Sequence, residues 1–388
     1  MLKKTIGPIA AFNSAYNLLL KTAKRCVNDI NTNPLSLAKF CQILTQAIED
    51  ESVKIHIVGM GRSGKVGMIL GESLKDIGFS NRVSYLGKSL AKPVRENDVV
   101  LAITGSGWTK FTTSAIEDSI RRKAKILTFT GTPTSKAARL SDAILQIPLG
   151  YRPQDMTEPD SFNGQRAPLT PLGTIFELTT MVIGMGVISG VFDGACTKGF
   201  NQGTTQVLLA AEDTLKTLTD NIDLINFIEL LKNFCNQDHK QVFIFGNGLD
   251  NIISAMSSIR FAHLRMNIQS VYNWRFRQKG DLLVAISGTG ASSTTLNMVN
   301  MAKASGMKVF GLTSFPESEL AYTSDNHLIF YGREESFSPD GLQMIKSRLH
   351  LPSFEYATAL ALDACVAQIA VDLGITEDKM RLEHANIE

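Results

Sequence analysis

The chain has 388 residues, a net charge of +2, 44% hydrophobic residues and 20% charged residues. A single domain usually holds about 100–200 residues, so this length predicts two domains. The weak net charge, without a run of basic residues, argues against a nucleic-acid-binding protein. Five scattered cysteines with no Cys-x-x-Cys pair argue against a disulfide framework or a zinc ribbon, and favour a reducing, cytoplasmic compartment.

The N-terminal segment and the long uncharged runs do not predict membrane spans. The first apolar stretch, residues 9–29, has the spacing of an amphipathic helix rather than of a signal peptide. Residues 178–192 form an apolar run that is shorter than the ~18–20 residues that cross a bilayer. Residues 282–302 are broken by Gly, Ser, Thr and Asn, which indicates a strand, a loop and a helix.

The chain contains one pattern written twice. In the first half, strand-like runs alternate with helical segments, and the strand-like runs are residues 54–58, 82–86, 99–104, 125–130 and 143–148. KIHIVGMG recurs as QVFIFGNG, DVVLAITGSG as DLLVAISGTG, and KILTFTGTP as KVFGLTSFP, in the same order and 183–187 residues later. This duplication predicts two tandem three-layer αβα domains, residues 1–200 and 201–388. Each would be a doubly wound, five-stranded parallel sheet of flavodoxin-like order with ligands at the carboxyl ends of its strands.

Two loops of the first half are candidate phosphate sites. The first, GMGRSG at residues 59–64, has the Gly-x-Gly-x-x-Gly spacing but lacks the acidic residue that a dinucleotide site requires after the second strand. Its glycines and helix N-terminus still favour an anion. The second loop carries the hydroxyls of Thr104, Ser106 and Thr109. Hydroxyls there commonly cap a helix, but two such loops in one half favour a phosphate ester.

Four segments resemble a known family. GMGRSG, ITGSGWT, APLTPLGTIFE (167–177) and MRLEHANIE (380–388) are similar to the sugar isomerase (SIS) domain, and most of all to the 6-phospho-3-hexuloisomerases. The resemblance implies interconversion of 3-hexulose 6-phosphate and fructose 6-phosphate without a metal or a cofactor. Because such isomerases are single SIS domains that form tetramers, the chain resembles two members joined, and a homodimer forming a pseudo-tetramer is expected.

The resemblance also implies roles for individual residues. Glu177 would be the catalytic base, and His384 in the C-terminal tail would be an acid or proton shuttle. The remaining candidates are substrate contacts: phosphate binding by Ser63, Thr104, Ser106 and Thr109, and substrate binding by Gly61 and Arg62. We expect no metal site, because the histidines show no ligand-like spacing.

The second half departs from this pattern. Arg62-Ser63-Gly64 becomes Leu249-Asp250-Asn251, and a carboxylate would repel a phosphate. Four residues remain as a possible second site: Ser287, Thr289, Ser292 and Glu355. Because the HANIE tail exists only at the end of the chain, we expect a division of labour in which the second half contributes that tail to the first site.

Two other functions agree with the same sequence. SIS domains also serve as non-catalytic sugar-phosphate-binding modules in regulators. An aldose–ketose phosphosugar isomerase, such as an arabinose 5-phosphate isomerase, would need the same scaffold.

Overall fold

A computed structural model describes residues 8–150, 161–162, 165–166, 168–237, 239–269, 277–333 and 349–383. In its first half a five-stranded parallel sheet has the order β2-β1-β3-β4-β5, as predicted. The strands are β1 (Ile55–Val58), β2 (Val83–Tyr85), β3 (Val99–Ile103), β4 (Lys125–Thr130) and β5 (Ala143–Gln146). A short antiparallel pair follows, β6 (Ser161–Phe162) and β7 (Gln165–Arg166).

The second half repeats this sheet. Its order, β12-β11-β10-β8-β9, is the same sequence of strands read from the opposite edge. The strands are β8 (Val242–Gly246), β9 (Ile268–Gln269), β10 (Leu282–Ile286), β11 (Lys308–Thr313) and β12 (Asn326–Ile329). These strand orders confirm the predicted fold of two flavodoxin-like parallel sheets. The prediction was possible because the periodicity and the buried apolar strands are local features of the sequence.

Helices cover both faces of each sheet. Those of the first half are α1 (Ala10–Thr32), α2 (Leu35–Glu49), α3 (Gly61–Leu74), α4 (Lys110–Arg121), α5 (Lys136–Arg139) and α6 (Thr174–Phe192). The others are α7 (Cys196–Leu218), α8 (Ile222–Lys232), α9 (Leu249–Ala262), α10 (Ser293–Ala304), α11 (Glu319–Thr323), α12 (Ser353–Asp372) and α13 (Glu377–Leu382). Helix α7 runs continuously through residues 200 and 201, where the predicted domain boundary falls.

The centre of the molecule is formed by two helices that are buried on all sides. Every residue of α6 except Phe192 is buried, and so is every residue of α12 from Ser353 to Ala370. Both helices are long and apolar enough to cross a bilayer, but 94% of the apolar window of each is buried inside the protein. Their composition is therefore that of core helices. They contact each other and α7, which joins the two halves.

One disulfide joins α2 to the start of α7. Cys41 and Cys196 are 155 residues apart in the sequence, and their Cα atoms lie 6.1 Å apart. Their spacing carries no motif, so the bond could not be predicted from the sequence. It corrects the expectation of an entirely reduced set of cysteines.

We expect Cys196→Ser to lower the free energy of unfolding by about 2–4 kcal/mol, because a bond that closes a long loop restricts the unfolded chain. Thermal unfolding under non-reducing conditions measures this difference. The control is the wild type with a reducing agent, which should unfold at the temperature of the variant. Equal melting temperatures for oxidised wild type and variant would contradict the prediction.

Candidate active site

A pocket opens at the carboxyl ends of β1 and β3, where the predicted loops of the first half begin. Residues from both halves of the chain line it, and most of these residues belong to the first half. The lining residues are Met60, Gly61, Arg62, Ser63, Ile103, Thr104, Gly105, Thr109, Leu172, Glu177, Ile259, Arg260 and His263. This edge is where doubly wound sheets bind their ligands.

The first loop delivers Gly61, Arg62 and Ser63 to the pocket. Gly61 has φ +53°, a left-handed conformation that glycine adopts without strain, and it opens α3. Among the described residues, Ser63 Oγ makes no hydrogen bond, so its hydroxyl is available to a ligand. The N-terminus of α3 adds an electrostatic preference for an anion.

The second loop uses its three hydroxyls in different ways. Thr104 Oγ1 accepts a hydrogen bond from the Gly107 amide (3.2 Å), and Ser106 Oγ accepts one from the Trp108 amide (3.2 Å). Thr109 is the N-cap residue of α4, but its side chain makes no capping hydrogen bond. Thr104 and Thr109 line the pocket, whereas Ser106 is exposed and does not. The Ser106 bond lies within the loop, before the N-cap of α4, so the capping alternative describes neither Ser106 nor Thr109.

Four charged side chains form one buried network beside this pocket. Arg62 Nε lies 2.9 Å from Glu177 Oε2, and its Nη2 lies 2.6 Å from Asp363 Oδ2. Arg260 Nη2 donates to Glu177 Oε2 (3.2 Å) and to the Leu172 carbonyl (3.1 Å). The side chains come from α3, α6, α9 and α12, and each residue is at most 8% exposed. Two guanidinium groups therefore balance two carboxylates across the two halves.

The network tunes the charge of Glu177. Burial raises the pKa of its carboxyl, while Arg62 and Arg260 oppose that rise. Burial and the neighbouring Arg62 lower the pKa of Arg260 to about 10, against the pull of Glu177 and Asp363. A carboxylate with a raised pKa that lines a pocket is suited to exchange protons.

Arg260 and His263 are pocket residues that no sequence motif indicated. Both lie at the C-terminal end of α9, in the second half, and each is at most 4% exposed. A motif search could not find them, because neither belongs to a glycine loop. The signal that could have found them is a comparison of α9 with α3, position by position.

The corresponding position in the second half is occupied by the protein's own side chains. The Gly288 amide donates to Asp250 Oδ2 (3.4 Å), so a carboxylate takes a loop donor. Arg333 pairs with Glu355 and contacts His350. A Cβ added at Gly288 would lie 2.6 Å from Arg333 Nε, which shows how closely this side chain covers the loop.

The predicted second-site hydroxyls are also engaged. Ser287 Oγ accepts from the Gly290 amide (3.1 Å), Thr289 Oγ1 from the Ala291 amide (3.3 Å), and Ser292 Oγ from the Thr295 amide (3.5 Å). Glu355 is fully buried. Burial raises the pKa of Glu355, although Arg333 opposes it, and burial followed by Glu355 raises the pKa of Asp250 well above its usual range.

His384 and the rest of the HANIE tail lie outside the described residues, so the proposed contribution of the tail stays a prediction. Among the residues that the structure describes, no group of three or more His, Cys, Asp or Glu side chains could hold a metal ion.

Comparison with known proteins establishes the family. The SIS domain model matches residues 47–153 and 237–360, more than half of the chain. The protein therefore belongs to the SIS domain family and carries two such domains in tandem, as the sequence predicted.

Three relatives illustrate the range of similarity. An uncharacterised protein of Aeropyrum pernix is 39% identical over 140 residues, 36% of this chain and 65% of that protein. The 3-hexulose-6-phosphate isomerase of Methylomonas aminofaciens is 28% identical over 150 residues, 38% of this chain and 81% of that enzyme. The structure of tagatose-6-phosphate ketose/aldose isomerase from Escherichia coli has a TM-score of 0.62 at 15% identity, covering 96% of this chain and 94% of that one, which shows a shared fold.

Because the Asp250 pKa is raised, Asp250→Asn should stabilise the protein at neutral pH. An unfolded aspartate ionises above about pH 4, whereas the folded carboxyl holds its proton to higher pH. The wild type therefore loses stability as pH rises through that window, and the neutral amide does not.

Thermal unfolding from pH 4 to 8 tests this sign. The melting temperatures of wild type and variant should converge at pH 4 and diverge as pH rises. A variant that is less stable than wild type at every pH would show that Asp250 works as an anion.

Proposed function

We propose that this protein is a sugar-phosphate isomerase that interconverts 3-hexulose 6-phosphate and fructose 6-phosphate through a cis-enediol. The observation that carries the proposal is Glu177, a buried carboxylate that lines a pocket together with two phosphate-type loops. The named activity of the Methylomonas relative supports the choice of substrate.

The phosphate would bind where the two loops meet. Ser63 and Thr109 keep hydroxyls that serve no other described side-chain contact, and Thr104 and Gly61 lie beside them. Amides at the start of α3 supply further donors. Neutral donors and a helix dipole hold a dianion without placing a fixed cation against it, which leaves Arg62 to its carboxylate partners.

The reaction requires two proton movements. Glu177 removes the proton from C3 of fructose 6-phosphate while the oxygen on C2 gains a proton, which forms the enediol. Glu177 then returns its proton to C2 as the oxygen on C3 loses its own, and the carbonyl now lies at C3. No electron acceptor is consumed, because the sugar is oxidised at one carbon and reduced at the next.

Glu177→Gln should reduce turnover by at least about 100-fold, because an amide cannot accept the carbon-bound proton. Its matched control is Glu355→Gln, because Glu355 is the equivalent glutamate at the occupied position of the second half, which we call the closed site. This variant should keep activity. Proton NMR of fructose 6-phosphate in deuterated water measures both exchange at C3 and the new ketose. Equal losses in the two variants would show that both positions are catalytic.

The same experiment separates the alternatives. Exchange at C1 instead of C3 would indicate an aldose–ketose isomerase on the same site. Binding of fructose 6-phosphate without exchange at either carbon would indicate a sugar-phosphate sensor.

The pH profile should show an acid limb above that of an ordinary glutamate. Burial raises the pKa of Glu177, and the base must be ionised to act. We therefore expect kcat/KM to fall as pH drops through a value higher than about 4.3, the usual glutamate pKa. Steady-state rates between pH 4 and 8 measure this limb, with melting curves as the control for acid unfolding. A rate that stays constant down to pH 4 would contradict a raised pKa for an essential Glu177 carboxylate.

A further inference from the structure

The sequences of the two halves can be aligned residue by residue around α3 and α9. Strand β1 begins by pairing Ile55 with Val99, and β8 begins by pairing Val242 with Leu282. Both helices have 14 residues. An offset of 187 residues separates Ile55 from Val242 and Gly59 from Gly246, and it aligns six of the eight buried positions of α3 with buried positions of α9.

At this offset the functional positions of the two halves differ in a complementary way. Arg260 corresponds to Ser73 and His263 to Asp76, so the first half lacks both groups. Arg62 corresponds to Leu249 and Ser63 to Asp250, so the second half lacks those. With Glu177 aligned to Glu355, Asp363 corresponds to Met185.

The groups that are present in only one of the two halves converge on one site. Arg62, Arg260 and Asp363 belong to the network around Glu177. We call the equivalent place beside Glu355 the mirror position. Of the residues that correspond there, Ser73 Oγ contacts Met185 Sδ at 3.7 Å, and Leu249 packs against the core. At each of these five differences, the pocket around Glu177 has the residue that lines it or joins its charged network, and the mirror position has a different residue.

We propose that each chain holds one composite active site, in which the second half supplies Arg260 to position Glu177 and His263 as the acid that moves protons between the sugar oxygens. This inference rests on the proposed isomerase function and names cross-half residues of the same site.

Arg260 acts through Glu177 and the turn before it. One nitrogen, Nη2, bonds to both Glu177 Oε2 and the carbonyl of Leu172, a residue with φ +53° in the turn that opens α6. A non-glycine residue in this conformation costs about 1–3 kcal/mol and requires support from its surroundings. Arg260 therefore fixes both the charge and the direction of the carboxylate.

His263 lines the same pocket as Glu177, and an imidazole can both donate and accept a proton. In the reaction above, its imidazolium would give a proton to the oxygen on C2. The resulting imidazole would accept the proton from the oxygen on C3, which restores the starting state. The mirror residue Asp76 is exposed and could not take this role in the closed site.

The first test is His263→Gln with Asp76→Asn as the matched control. We expect kcat to fall about 100-fold while KM for fructose 6-phosphate changes less than about threefold. Asp76→Asn should leave both constants unchanged. A kcat within about threefold of the wild type in folded His263→Gln would overturn the role of His263.

The second test compares Arg260→Met, Arg260→Lys and the control Ser73→Ala. The charged groups that face Glu177 are Arg62 from α3, Arg260 from α9 and Asp363 from α12. His263, which follows α9, lines the same pocket. Loss of one cation should move the acid limb of kcat/KM upward by about one pH unit. The lysine variant should restore most of the shift, and Ser73→Ala should cause none. An acid limb that stays in place in folded Arg260→Met would overturn the positioning role.

Titration calorimetry with fructose 6-phosphate separates this inference from the proposed function. One molecule bound per chain is the expected result, and two would overturn the single composite site. If the wild type bound one molecule but catalysed no exchange, the isomerase proposal would fail while the single binding site stood. The catalytic role of His263 would then fall with the isomerase proposal.

Discussion

The structure depends on a buried balance of charge between its two halves. Arg62, Glu177, Arg260 and Asp363 are two cations and two anions on four helices that meet at the centre. Removing one partner of such a buried set leaves an uncompensated charge, which typically costs about 3–5 kcal/mol. Electrostatic attraction as well as apolar packing thus holds the two halves together. The pocket forms where the network of four charged side chains reaches the strand ends.

The same balance explains why the duplicated glutamates differ. Glu177 shares its charge with guanidinium groups from both halves, and it remains at the wall of a pocket. Glu355 is fully buried and pairs with Arg333, which lies over its own loop. Each carboxylate lies near the start of a buried apolar helix and needs a cation. The cation of Glu355 is Arg333, whose side chain covers the loop at Gly288, whereas the space above the loops beside Glu177 stays open as a pocket.

The sequence predicted the elements that depend on local pattern. Strand runs, their flavodoxin-like order and both loops follow from periodicity and from the repeat, so they were found without structure. The proximity of Arg260 and Asp363 to Glu177 could not be found that way, because the crossing of α3, α9, α6 and α12 brings them together. Arg333 and the Cys41–Cys196 bond are likewise products of packing between distant segments.

Competition between ligand and protein for the same donors gives a physical measure of which loop can bind phosphate. In the second half, Asp250 accepts the Gly288 amide and Ser292 caps its helix, so an incoming phosphate would have to displace bonds already made. In the first half, Ser63 is uncharged and the Thr109 side chain leaves the helix cap unused. Thr104 and Ser106 accept loop amides just as Ser287 and Thr289 do, so the two halves differ at Ser63 and Thr109 rather than at these hydroxyls. A phosphate bound as proposed would therefore have fewer existing bonds to displace in the first half.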